Sequence, residues 1–317
     1  MNHKIKINTE NINNSGFGNN SNAEGRRLVN KDGTANLKKT GLLFFQHLSI
    51  YHTLLKMSTR KFLFVIFSFY MAMNLFFASL YLSIGVENLS GTEIQHTFFD
   101  KFLHAFFFSS QTLTTVGYGH ISPSGITANL IASMESFVGI MTFAVVTGIL
   151  FARFSRPHAY IKFSEQFLVA PYKDGKAIMF RLASYKNNEL TDVEATVTTA
   201  LHLMENDIRV TKFFTLKLEI SKINSMAISW TCVHFLNEES PLYGLTQKDF
   251  EESDMELMVT IKGFDDHYSN IVQQRTSYKI SEMIYDAKFS PMFGQSESGN
   301  YTEVKIDKLG EYEMLKK

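Results

Sequence analysis

One cysteine, Cys232, occurs in 317 residues, so no disulfide can form within the chain and a metal site built on paired thiolates is excluded. Net charge is absent too. The 31 Lys and Arg residues balance 31 Asp and Glu, which argues against a whole-chain partner that is a polyanion, nucleic acid included. Nucleophile elbows, phosphate loops and metal-ligand spacings are missing; "KDGK" at 173–176 reads as a turn, so no enzyme chemistry is supported and no cofactor is called for. There is no internal repeat, and the only low-complexity tract is residues 1–26, rich in Asn, Ser and Gly and read as a disordered tail.

Mean hydropathy over the whole chain is ordinary for a soluble protein, but the apolar residues are crowded into one third of it. Residues 62–86 carry no charge and cover roughly 35 Å as a helix, more than the ~30 Å hydrocarbon core of a bilayer. Residues 126–152 are similar, interrupted only by Glu135. The first run starts too far in, and is too long, for the h-region of a signal peptide. Lys56, Arg60 and Lys61 precede the first span and Arg153 and Arg156 follow the second, whereas Glu87, Glu93 and Asp100 outnumber Lys101 between them. By the positive-inside rule both termini are cytosolic. The same five basic residues, clustered beside the spans, are the candidates for binding anionic lipid headgroups. Neither span is rich in Arg, so neither senses voltage.

Ahead of the first span, 47–58 ("HLSIYHTLLKMS") has the apolar spacing of a helix lying in the membrane interface. After Arg156 and Pro157 the pattern changes to strict alternation. Val193, Ala195 and Val197 face one way with Glu194, Thr196 and Thr198 opposite, and Phe214, Leu216, Leu218 and Ile220 repeat the pattern, as in an antiparallel β-sandwich with Trp230 in its core. The expected division is 1–26 tail, 27–58 N-terminal segment and interfacial helix, 59–156 transmembrane domain, 157–300 sandwich and 301–317 C-terminal tail.

Between the spans, an apolar segment from about 102 to 113 is too short to cross the membrane and leads into "TLTTVGYGH". Non-helical backbone at membrane depth is tolerated where it is buried in protein or lines a watery path. If alternate residues of Thr115, Val116, Gly117, Tyr118 and Gly119 take φ > 0, every carbonyl faces one axis, and the two glycines allow this at little steric cost. Four such segments give stacked oxygen rings from Thr115, Val116, Gly117 and Tyr118 that replace the hydration shell of K⁺. The Tyr118 ring points away and is expected to brace the segment against the pore helix.

T-V-G-Y-G after a short pore helix and between two spans resembles the potassium channels. "RRLVNKDGTANL", "GILFARFSRP", "SWTCVHFLNEESPLYGLTQKDF" and "QQRTSYKISEMIYDAKFSPMF" narrow the likeness to the inward-rectifier family, and within it to the bacterial branch. The resemblance covers roughly residues 26–293. It implies a membrane α plus cytosolic all-β fold in a bacterial inner membrane: a two-helix pore domain with a re-entrant pore helix, then an immunoglobulin-like sandwich, assembled as a homotetramer. Carried onto matching positions, Phe143 lines the cavity and Phe151 narrows the inner bundle crossing as a gate. Gly139 and Gly148 are hinge candidates, and for Gly148 the small-residue stripe Ala144, Gly148 and Ala152 favours close helix packing instead.

Departures from eukaryotic relatives are informative. The cysteine pair flanking their pore is lacking, Gln111 stands where they have an acidic residue and Ile121 where they have its Arg partner, so the outer mouth must be braced otherwise. Phe143 offers no charge to hold Mg²⁺ or polyamines, and strong rectification is not expected. His158 and Ala159 follow Pro157 where lipid-activated relatives have basic residues, leaving the sign of a lipid effect open. Glu135 divides evenly between a buried hydrogen-bonding role behind the pore helix and a role in permeation; His120 reads as an exposed residue at the outer mouth. A poorly selective cation channel would have Asp in place of Tyr118, and a membrane-anchored binding module leaves the glycine-spaced segment unexplained.

Overall fold

The computed structural model describes residues 27–38, 40–41, 49–92, 97–186, 189–205, 208–226, 228–295 and 302–315. The proposed disordered tail and the start of the interfacial segment lie outside these residues. The described residues divide into two compact units, one within 40–156 and the other formed by 27–38 with those of 157–315.

The first unit is helical. α1 (Ile50–Lys56) is capped at its N-terminus by Ser49, whose hydroxyl accepts from His52 N–H. α2 (Thr59–Ile84) ends at Gly85. The short strand β1 (Leu89–Ser90) follows and pairs antiparallel with β2 (Ser122–Pro123), tying the two sides of the intervening loop together. Between them α3 (Phe98–Leu113) begins with a reciprocal capping box from Thr97 and Asp100, four residues before the apolar run that announced it. α4 (Gly125–Phe154) completes the unit. At 26 and 30 residues, α2 and α4 are about 39 and 45 Å long, enough to cross a bilayer. Their outward faces carry exposed Phe64, Phe67, Phe76, Phe137 and Val145, a surface suited to lipid or to other subunits. The unit's own core is compact: Phe77, Ala78, Tyr81, Val86, Leu89, Ala105 and Phe108 are buried together, with Tyr81 and Phe108 edge to face at 5.0 Å.

The second unit is a sandwich. Its strands are β3 (Ile161–Phe163), β4 (Phe167–Tyr172), β5 (Gly175–Ser184), β6 (Leu190–Glu205), β7 (Ile208–Leu216), β8 (Lys222–Met226) and β9 (Ser229–Phe235), then, after α5 (Gln247–Glu252), β10 (Glu256–Asp265), β11 (Asn270–Lys279) and β12 (Met283–Tyr285). One sheet runs β11-β10-β6-β7, with β8 also on β6; the other runs β12-β4-β5-β3, with β9 also on β5. Every pairing is antiparallel except β12 on β4. The core between the sheets takes Val193, Ala195, Val197, Phe214, Leu216, Leu218, Trp230 and Cys232, as the alternation predicts. Ile220 is the exception. β7 ends at Leu216, and Glu219 N–H bonds Val233 O instead, so the chain has left the strand and Ile220 is exposed.

Two expected boundaries are corrected. Residues 302–315 are no tail: β13 (Ala287–Phe289) pairs with β16 (Tyr312–Met314), and β14 (Phe293–Gln295) pairs with β15 (Thr302–Val304). This layer buries Met292 and Leu309 on Ala183, and Ala287 and Phe289 on Leu168. Within 302–315 only Leu309 is buried, with Val304, Ile306 and Tyr312 half-buried beside it among charged residues, too sparse a signal to read as folded.

The N-terminal segment also divides. Residues 27–38 belong to the sandwich, where Leu28 and Val29 are buried with Ala200, Phe213 and Met258. The buried Glu256 carboxylate accepts the N–H groups of Leu28 at 2.8 Å and Val29 at 3.1 Å, and the Ser277 hydroxyl donates to Val29 O. Glu282 receives Arg27 at 2.6 Å and Lys31 at 3.2 Å. Burial alone would raise its pKa, but the two cations and the Lys279 N–H outweigh that and hold its carboxyl below the usual carboxylate range.

Candidate functional site

Segment 115–119 starts where α3 runs out. The N–H of Thr115 bonds Thr112 O at 3.0 Å, and those of Val116 and Gly117 both reach Gln111 O, at 3.0 and 3.3 Å. The last carbonyls of the helix thus anchor the first amides of the segment. Thr115, Gly117 and Gly119 have φ of +58°, +54° and +82°, with Val116 and Tyr118 between them outside the positive-φ set. In an ordinary strand successive carbonyls point to opposite sides; reversing alternate residues turns them to one side. A Cβ added at Gly117 or Gly119 would meet nothing within 4 Å in this chain, so the demand for glycine there comes from backbone conformation. Thr115 meets the same demand without being glycine, and nothing in its residue type announces it. Val116 and Tyr118 are 53% and 79% exposed. The brace expected between Tyr118 and the pore helix is therefore not made within this chain.

Behind α3 lies a buried polar cluster. Glu135 on α4 and Asn74 on α2 meet Ser109 on α3, and Tyr81 on α2 meets Glu135, all four without solvent exposure. The Tyr81 hydroxyl donates to Glu135 Oε2 at 2.7 Å, and Ser109 Oγ lies 2.5 Å from Glu135 Oε1 and 3.2 Å from Asn74 Oδ1. Tyr70 and Ser110 hydroxyls are 2.6 Å apart one residue further on. Of the two roles open to Glu135, the structure places it in hydrogen bonding behind the helix. Ile121 packs against the Phe77, Tyr81 and Phe108 cluster, and the β1–β2 pair beside it ties together the segments that flank α3.

At Gly139 the backbone of α4 lies against the end of α3, because a Cβ there would sit 2.1 Å from Leu113 O. α4 continues unbroken through Gly139 and Gly148, and the space beside Gly148 is open. A recess of about 590 Å³ brings Thr115 and Phe143 together with Tyr70, Thr114, Gly139 and Val146. Phe143 and Phe151, eight residues apart on α4, are 75% and 73% exposed.

Of the five basic residues, Lys56, Arg60, Lys61 and Arg156 are exposed. Arg153 differs: its guanidinium donates to the carbonyls of Leu54 and Met57, the latter at 2.8 Å, and lies 4.6 Å over the Phe62 ring. It caps the C-terminus of α1, a role legible only as a basic residue in the last turn of α4. Among the described residues no cluster of three or more His, Cys, Asp or Glu could hold a metal ion.

Comparison with known proteins agrees with this geometry. Residues 59–156 match the ion channel family, and residues 161–316 match the inward rectifier potassium channel C-terminal domain. The chain is 30% identical over 271 residues to the inward rectifier potassium channel Kirbac3.1 of Paramagnetospirillum magnetotacticum, covering 84% of this chain and 89% of that protein. It is 27% identical to the G protein-activated inward rectifier potassium channel 2 of Pongo abelii, over 84% of this chain and 68% of the relative. It is 28% identical to the ATP-sensitive inward rectifier potassium channel 12 of Gallus gallus, over 62% of this chain and 48% of the relative. With two membrane-crossing helices, a helix and glycine-spaced segment between them, and a matching β-sandwich, this chain belongs to the inward rectifier potassium channel family, which comprises ion channels and not enzymes.

Proposed function

We propose that four copies assemble in a bacterial inner membrane, both termini cytosolic, with residues 115–119 of each copy forming one K⁺-selective filter. The observation that carries this is the alternation of positive φ at Thr115, Gly117 and Gly119, which points the carbonyls of the segment one way and leaves Val116 and Tyr118 exposed on a single subunit. One subunit supplies one wall, and K⁺ needs oxygens on all sides to replace its hydration shell, so closure by further copies around an axis is what the geometry calls for. K⁺ then sits between rings from Thr115, Val116, Gly117 and Tyr118. Phe143 faces the cavity without charge, so rectification by Mg²⁺ or polyamines is weak. Phe151 forms the gate and Gly139 and Gly148 set how the inner helices pack and bend. Anionic lipid acts through Lys56, Arg60, Lys61 and Arg156, with Arg153 divided between lipid and its hold on α1.

The test is ⁸⁶Rb⁺ and Na⁺ uptake into liposomes. The parent should carry Rb⁺ far in preference to Na⁺, and Gly117→Ala should lose that preference, since a Cβ at positive φ costs on the order of 1–2 kcal/mol in each subunit. Unchanged selectivity in Gly117→Ala would sink the filter assignment.

A further inference from the structure

We propose that Glu135 is a positioning residue for ion selection: through Ser109 it fixes the rotation and depth of the pore helix, and hence the filter. The proposal rests on the filter reading above. The connection is short. Ser109 is two residues before Gln111, whose carbonyl holds the N–H groups of both Val116 and Gly117. A small roll of α3 therefore moves the anchor of two filter amides at once. Apolar packing resists separation of helices but resists rolling weakly, because one methyl contact replaces another at little cost. Directional hydrogen bonds in a dry interior resist it strongly.

The cluster reaches α3 from two helices, with Glu135 on α4 and Asn74 on α2 meeting at Ser109 and Tyr81 on α2 held to Glu135, all without exposure to solvent. Ser109 has a single hydroxyl hydrogen, yet Glu135 Oε1 lies at 2.5 Å, Asn74 Oδ1 at 3.2 Å and Asn74 O at 3.3 Å. Asn74 replaces only part of the role of Glu135: its Oδ1, at 3.2 Å, can accept from Ser109, but it lies on α2 beside Tyr81 and gives no link to α4. The Glu135 carboxyl is the one group that also gathers the Tyr81 hydroxyl, at 2.7 Å, and so links three helices through two oxygens.

Isosteres separate positioning from mere packing. Glu135→Gln keeps both links, because its carbonyl accepts from Tyr81 and its amide donates to Ser109, which frees the Ser109 hydroxyl for Asn74. Glu135→Leu keeps volume and loses both. The readout is the K⁺ over Na⁺ permeability ratio of the full-length channel in planar bilayers, independent of how many channels are present. Leu should lower the ratio about tenfold, the scale set by leaving the buried Tyr81 hydroxyl without its acceptor and Ser109 without its link to α4, while Gln should stay within about twofold of the parent. If Glu135→Leu does not assemble, Tyr81→Phe and Ser109→Ala each remove one link and should lower the ratio about threefold. Parent-like ratios in Glu135→Leu, or in both single-link variants, overturn the proposal and leave the filter reading standing. A parent that does not itself select K⁺ overturns the filter reading, and this proposal with it.

Discussion

Thr115 shows what one side chain can hide. Its φ of +58° completes the alternation that Gly117 and Gly119 begin, and a threonine in that region is strained by roughly 1–2 kcal/mol. Glycine is a legible request for positive φ; threonine is not, so two of the three reversals could be read in advance and the third could not. His234 is a second case. It is buried, with Nδ1 2.7 Å from Lys217 O and Nε2 2.8 Å from Ser240 Oγ. A carbonyl can only accept, so Nδ1 carries the hydrogen and Nε2 accepts from Ser240. Burial pushes the imidazole below its ordinary value of 6.5, and the Lys217 carbonyl offsets this only in part. The sign follows: a depressed folded value contributes stability in full above pH 6.5, which is lost as pH falls through the folded value. Thermal unfolding of the sandwich in the full-length channel, followed by Trp230 fluorescence, should drop in midpoint as pH falls below 6.5, and His234→Gln should flatten that slope. An equal slope in both proteins would mean that the acid sensitivity lies elsewhere.

Among the elements, α2 and α4 were plain from uncharged length, and the core face of β6 from strict alternation, because burial imposes those periods on any sequence. Long-range partners impose none. That is why the hold of Arg153 on α1, and the seating of Ser109 between Glu135 and Asn74, had no counterpart in local pattern. The difference between Arg153 and Arg156 can be measured. Arg156 is exposed and free to meet headgroups, so Arg156→Gln should shift the midpoint of an anionic-lipid titration of flux about fivefold, one charge at such a surface being worth about 1 kcal/mol. Arg153→Ala also uncaps α1 at Leu54 and Met57, and it should change flux even in liposomes without anionic lipid. If the two variants behave alike in neutral liposomes, the cap does not govern conduction.

Over the whole molecule, the order of membrane part and sandwich was legible and both outer boundaries were not, since the segments that close the sandwich are short, charged and far apart in the chain. The proposed gate depends on assembly. Phe143 and Phe151 are separated by eight residues, about 12 Å along α4, so a face that puts the first at the cavity puts the second near the axis two turns on. Four Phe rings there make an apolar constriction that stops ions by dewetting. Phe151→Ala should raise open probability with K⁺ selectivity intact, and Phe151→Asp should raise it further; single-channel recording decides, and an unaltered open probability in Phe151→Ala would move the constriction elsewhere. The seat of Leu28 on Glu256 has a further consequence, for the newborn chain. The two are 228 residues apart, with both membrane helices between them. At roughly 5–20 residues per second, residues 27–38 leave the ribosome some 10–45 s before the strands that receive them exist. Two buried side chains must wait through the insertion of two helices, and a chain stopped before β10 leaves them with no place to go.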